Sequence, residues 1–244
     1  MAKMSEEALT ATSLAFPVQM LMIAFSVGTS VGVNALLSKT LGARNRERAT
    51  KIANTSIMLA LINGAVFSLT GIFFAQKLAR SFTTVESTAA LCADYLSICM
   101  IFCFGNFIET MLQRFLQAAG NTVLSMCSLI AGAVTNIILD PILIFGLFGF
   151  PALGIRGAAI ATVIGQWLGA AVALLLNRFC NREVIVDFRG FCPEKEIIFG
   201  IYKVGLPNII TQAISSVMVT LVNQILMPLS MSAVAFFGVY YKLQ

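Results

Sequence analysis

The chain has 244 residues, of which 58% are hydrophobic and only 11% charged, with a formal net charge of +5. Soluble domains carry about 25% charged residues, so this composition excludes a water-soluble globular fold and points to a polytopic helical membrane protein. The chain has no histidine, which excludes His-based acid/base catalysis and His metal sites. Its basic residues lie between apolar runs, so the positive charge reads as membrane topology and not as nucleic-acid binding.

The first apolar run spans about Leu14 to Leu37 and ends in the basic segment KTLGARNRERATK. The second, about Ile52 to Ala75, is followed by KLARSFTTVEST, and the third, about Ala89 to Leu112, ends in QRFLQAAGNT. The fourth, about Val123 to Phe148, contains TNIILDPILIFG. The loop GFPALGIRG leads to the fifth, about Ala158 to Leu176. After a polar segment the sixth run covers about Ile197 to Leu226, and a seventh begins at about Ser232. The expected fold is therefore an all-α polytopic membrane protein with six transmembrane helices and the start of a seventh.

Loops after the first, third and fifth runs carry Lys39 to Lys51, Arg114, and Arg178 to Lys195. The others carry only Lys77, Arg80 and Arg156. The basic loops are expected in the cytoplasm and the N-terminus outside, with the chain a multi-pass protein of the cell membrane surrounded by lipid. No basic-then-apolar leader is visible in MAKMSEEALTATS. The six cysteines form no CxxC motif, and no disulfide is expected; Cys99 and Cys103 share a helical face without the partners of a metal site. Ser5–Gln19 and Ser230–Gln244 align with Ser5 on Ser230, Ala8 on Ala233 and Gln19 on Gln244. That points to an internal repeat of outside-to-inside helix starts, and to a chain that is a fragment of a longer one.

Asn136 and Asp140 lie four residues apart, on one helix face, and Pro141 leaves the carbonyl of Ile137 without its helical N–H. An amide, a carboxylate and a freed carbonyl at one membrane depth suit a proton or Na⁺, and binding either offsets the cost of a carboxylate in hydrocarbon, about 2.5–3.5 kcal/mol on insertion scales. A structural hydrogen bond, or pairing of Asp140 with Arg156, would explain the same residues without function. Glu109 and Gln113 read as a snorkelling anchor near the interface, and Asp94 as a solvated residue. Thr162 and Gln166, one turn apart, are candidates to line a cavity, as is Asn106. Asn34, Asn63 and Asn106 otherwise suit interhelical hydrogen bonds, and the many glycines suit close helix packing.

Five segments, GTSVGVNALLSKTLGARNRERATKIA, QRFLQAAGNT, NIILDPILI, GIRGAAIATVIGQ and VGLPN, in this order, resemble the multidrug and toxic compound extrusion (MATE) transporters. The resemblance covers essentially the whole chain and implies a two-lobe, twelve-helix fold. The chain then spans family helices two to seven and the start of eight. By that pattern residues 1–180 form an incomplete N-terminal lobe, 181–196 a cytoplasmic linker, and 197–244 the start of the C-terminal lobe. The resemblance implies an ion-coupling site at Asn136, Asp140 and the sixth-helix residue Thr162. The family's first-helix Asp has no match, which bears directly on whether this chain acts alone. The implied function is a monomeric, non-enzymatic secondary antiporter that exports small organic cations, needs no cofactor, and uses H⁺ or Na⁺ as coupling ion. A lipid-linked oligosaccharide flippase of the same superfamily and an inactive truncated fragment are the alternatives. The scarcity of arginine and lysine in the helices disfavours the flippase.

Overall fold

A computed structural model of the chain describes residues 6–83, 85–181, 183–187, 193–226, 236, 237 and 240. It is all-helical among those residues: α1 (Glu6–Gly42), α2 (Arg46–Phe82), α3 (Glu86–Ile101), α4 (Phe104–Ala118), α5 (Thr122–Phe145), α6 (Ile155–Cys180) and α7 (Lys195–Leu226). A single 3-10 turn, Leu147–Gly149, lies between α5 and α6. Five of the helices are long and apolar enough to cross a membrane, and six spans result if α3 and α4 count as one. The expected seventh helix from Ser232, the repeat partner Ser230–Gln244, Arg182, Arg189 and Cys192 fall wholly or mainly outside the described residues.

The helices overrun the apolar runs by a turn or more at several ends, because polar segments such as EEALTATS continue the helix beyond the greasy stretch. The fourth run leaves the helix at Phe145, where Gly146 takes a left-handed turn, and the third breaks in its middle. It is two helices bent by 46° at Phe102 and Cys103. The break lacks a proline. The Phe102 and Cys103 N–H groups turn back to Ile98 and Met100, and the carbonyl of Ile101 accepts from the Ser68 hydroxyl at 3.0 Å. A neighbouring helix thus satisfies the group that the break exposes, the condition for irregular backbone at membrane depth.

Lipid offers little hydrophobic drive between helices, so close packing must hold them together. Gly28, Gly32 and Gly205 provide it between α1 and α7. A Cβ on Gly205 would stand 2.6 Å from the Gly28 carbonyl, and one on Gly32 would fall on the Ile201 carbonyl. Farther along, Pro17 removes the helical N–H that the Ser13 carbonyl would use. The Asn223 amide of α7 donates to that carbonyl at 3.4 Å, and the Ser216 hydroxyl donates to the Pro17 carbonyl at 2.6 Å. Two apolar clusters fill the bundle. One is built on Leu37, Ile52, Phe107, Phe115 and Ile201, the other on Leu14, Ala79, Cys92, Leu96 and Ala159.

The basic segments meet at one end. Arg46 pairs with Glu183 at 3.9 Å, and Lys51 with Glu194 at 2.9 Å. The segment after α6 is clasped there by Asn54, which is buried and exchanges both amide hydrogen bonds with the backbone of Asp187. Asn54→Ala removes both, for an expected cost of about 2 kcal/mol. Amide hydrogen exchange at residues 183–187 is expected to accelerate; unchanged protection there would show that the clasp lies elsewhere.

Candidate functional site

α5 and α6 approach so closely that a Cβ on Gly132 or on Gly165 would lie 2.9 Å from the other's carbonyl. This approach sets Asn136 against Thr162. The Asn136 amide donates to Thr162 Oγ1 at 3.3 Å, and the Thr162 hydroxyl donates to the Ala158 carbonyl at 2.9 Å. Tyr95 of α3 is buried and also faces Thr162; its hydroxyl accepts from Gln19 of α1 at 3.2 Å. Four helices therefore converge on the Asn136–Thr162 pair. The sequence did not mark Tyr95 or Gln19 as site residues, since a tyrosine and a glutamine far apart in the chain carry no spacing signal.

Asp140 lies one turn beyond Asn136 on α5. The residue is half-buried, and its Oδ1 is fully enclosed without a hydrogen-bond partner. Pro141 lies on the exposed side of α5, which continues as helix to Phe145. Arg156 does not pair with Asp140. It binds Asp94, with Nε donating to Oδ2 at 2.9 Å, so Asp94 is half of an exposed ion pair.

Beside this constellation is a cavity of about 310 Å³ among α4, α5 and α6, with Asn106, Glu109, Asn136, Thr162 and Gln166 as its polar lining. Asn106 and Gln166 thus share a cavity with Asn136 and Thr162, while Asp140 is not part of its lining. Asn63 does bridge helices, donating to Thr29 Oγ1 at 3.3 Å, whereas the enclosed Asn106 Nδ2 has no hydrogen-bond partner.

Glu109 corrects the expected interfacial anchor. It is only 8% exposed. The reason lies on other helices: a Cβ on Gly169 of α6 would fall on its carboxylate, and Gly132 of α5 also borders it. Those glycines leave the room into which the side chain turns. The signal was absent from the local sequence, where the nearby Arg114 suggested a water-facing edge.

Chemically, the carboxylate of Asp140, the amide oxygen of Asn136 and the hydroxyl of Thr162 are hard oxygen donors suited to H⁺ or an alkali cation. Among the described residues no group of three or more Cys, Asp or Glu side chains is placed to hold a transition metal.

A family model described as MatE matches residues 1–142. The chain is 32% identical over 222 residues to "Probable multidrug resistance protein YoeA" of Bacillus subtilis (strain 168), a match covering 87% of this chain and 47% of that protein. It is 27% identical over 236 residues to "Multidrug export protein MepA" of Staphylococcus aureus (strain bovine RF122 / ET3-1), covering 96% and 51%. A solved structure titled as the inward-facing conformation of a multidrug resistance MATE family transporter of the MOP superfamily superposes with a TM-score of 0.90 at 28% identity, over 98% of this chain and 54% of that one. The chain spans about half the length of the curated relatives it matches.

Proposed function

The chain belongs to the MatE family, and on that premise we propose that it is part of a secondary active antiporter that exports organic cations in exchange for H⁺ or Na⁺. The family is one of transporters and not of enzymes. The observation that carries the reading is the enclosed, unpartnered oxygen of Asp140 one turn from the Asn136–Thr162 pair. An intramembrane carboxylate with an unsatisfied oxygen is costly unless something binds it. A proton or Na⁺ meets that need in one conformation, and its release favours the other. Coupling follows if substrate export and ion entry draw on opposite conformations.

In this reading α1 to α6 belong to the first lobe, residues 181–196 link the lobes, and α7 opens the second. The basic end faces the cytoplasm, as the positive-inside pattern requires. The relatives named for multidrug export support the substrate class. A flippase for anionic lipid-linked sugars fits less well, because the polar lining of the α4–α5–α6 cavity offers a carboxylate, amides and a hydroxyl, with no lysine or arginine among the described residues.

The test is ethidium accumulation in pump-deficient cells producing the complete protein, as wild type and as Asp140→Asn. Lower accumulation with wild type and background accumulation with the variant is the expected result. No difference between wild type and empty cells would end the multidrug reading.

A further inference from the structure

We propose that the α4–α5–α6 cavity takes the N–H-bearing end of an organic cation (an amidinium, guanidinium or primary ammonium), with Glu109 as its counter-charge. The inference rests on the export reading above and sharpens it to a substrate class and a selecting residue.

Glu109 is buried, and among the described residues its carboxylate receives one side-chain hydrogen bond, from Gln113 Nε2 to Oε1 at 3.1 Å. None of the ion pairs among the described residues includes it. The basic residue nearest in sequence, Arg114, is committed elsewhere: Nε donates to Ser30 at 3.2 Å and NH1 to Gln117 at 2.7 Å. A buried carboxylate without a cationic partner is unstable in its charged form until a cation arrives.

The lining says which kind of cation. Quaternary ammonium groups are held by aromatic cages, and this lining has no aromatic residue among the described ones. Its polar groups are the Glu109 carboxylate, the Asn136 and Gln166 amides and the Thr162 hydroxyl, each of which carries an acceptor oxygen. The Asn106 amide is enclosed and its Nδ2 has no partner; rotation by half a turn presents its oxygen instead. Amidinium and guanidinium ions present parallel N–H donors that match a carboxylate in two hydrogen bonds. A volume of about 310 Å³ admits such a head group and sits at the small end of ligand pockets. Gly169 leaves room for the carboxylate, since a Cβ there would displace it.

The experiment measures calorimetric binding of benzamidine, which has N–H donors, and tetraethylammonium, which has none, to the complete protein in lipid nanodiscs. For Glu109→Gln, benzamidine affinity is expected to fall roughly tenfold or more, the scale of losing a desolvated charge partner, with tetraethylammonium affinity unchanged. Gly169→Ala is expected to shift benzamidine in the same direction and decides the matter if Glu109→Gln does not fold. Equal loss for both probes, unchanged benzamidine affinity, or no benzamidine binding by wild type would overturn the proposal. Asp140→Asn separates the two readings. If that variant loses efflux while the probe selectivity at Glu109 is absent, only the present inference fails; if it exports normally while the selectivity holds, only the coupling role of Asp140 fails.

Discussion

Asp140→Asn is expected to reduce ion-driven efflux to the background of pump-deficient cells while the protein remains folded in the membrane. Asparagine keeps the shape of the side chain and removes its exchangeable charge, so the difference in ion affinity between conformations disappears. A ligand with equal affinity for two states shifts nothing, however tightly it binds. Stability should move the other way. The carboxylate carries an enclosed oxygen without a partner, and a mid-membrane Asp costs about 2.5–3.5 kcal/mol on insertion scales, so the neutral variant is expected to melt at or above the wild-type temperature. Proteoliposomes with an imposed pH or Na⁺ gradient give the direct measurement. Wild-type efflux from the variant would remove Asp140 from the coupling step. Lost efflux with a lowered melting temperature would make it a structural residue.

Gly32→Leu is expected to have the largest structural effect. The added Cβ meets the Ile201 carbonyl, with the Ile201 carbonyl carbon at 2.9 Å and the Gly205 nitrogen at 3.2 Å. All three are backbone atoms, which cannot rotate aside as a side chain would. Overpacking typically costs about 1–3 kcal/mol, and a clash with fixed backbone belongs at or beyond the upper limit. α1 and α7 must separate, which also strains the Asn223–Ser13 and Ser216–Pro17 hydrogen bonds. Gly42→Leu is the control, since nothing lies within 4 Å of its Cβ position. A melting temperature lowered by Gly32→Leu and little changed by Gly42→Leu is the expected outcome. Equal melting of the two would show that the close approach contributes nothing to holding the helices together.

The two experiments probe features that differed in how plainly the sequence announced them. Helix positions were legible because apolar run length is a direct physical requirement of the bilayer. The shared face of Asn136 and Asp140 was legible because a four-residue spacing fixes it, and the pairing of Asn136 with Thr162 through the family resemblance. The bend at Phe102 was not, because no proline or glycine occupies it and its stabilising partner, Ser68, belongs to another helix. Glu109 was misread for a similar reason: its burial depends on glycines at positions 132 and 169, which no local pattern connects to it. Arg156 likewise found Asp94, 62 positions away, instead of Asp140. Where burial is decided by what a distant helix lacks, periodicity is silent.

The contact of Gly132 with Gly165 has a mechanical consequence. Most helix pairs meet through side chains that act as a compliant layer and absorb small displacements by changing rotamer. At this crossing the two main chains touch with nothing between them to yield. One turn away, Asn136 and Thr162 are tied by a hydrogen bond. The pair therefore behaves as meshed gears with little backlash. A displacement of α6 at this crossing is expected to move α5, and Asp140 with it.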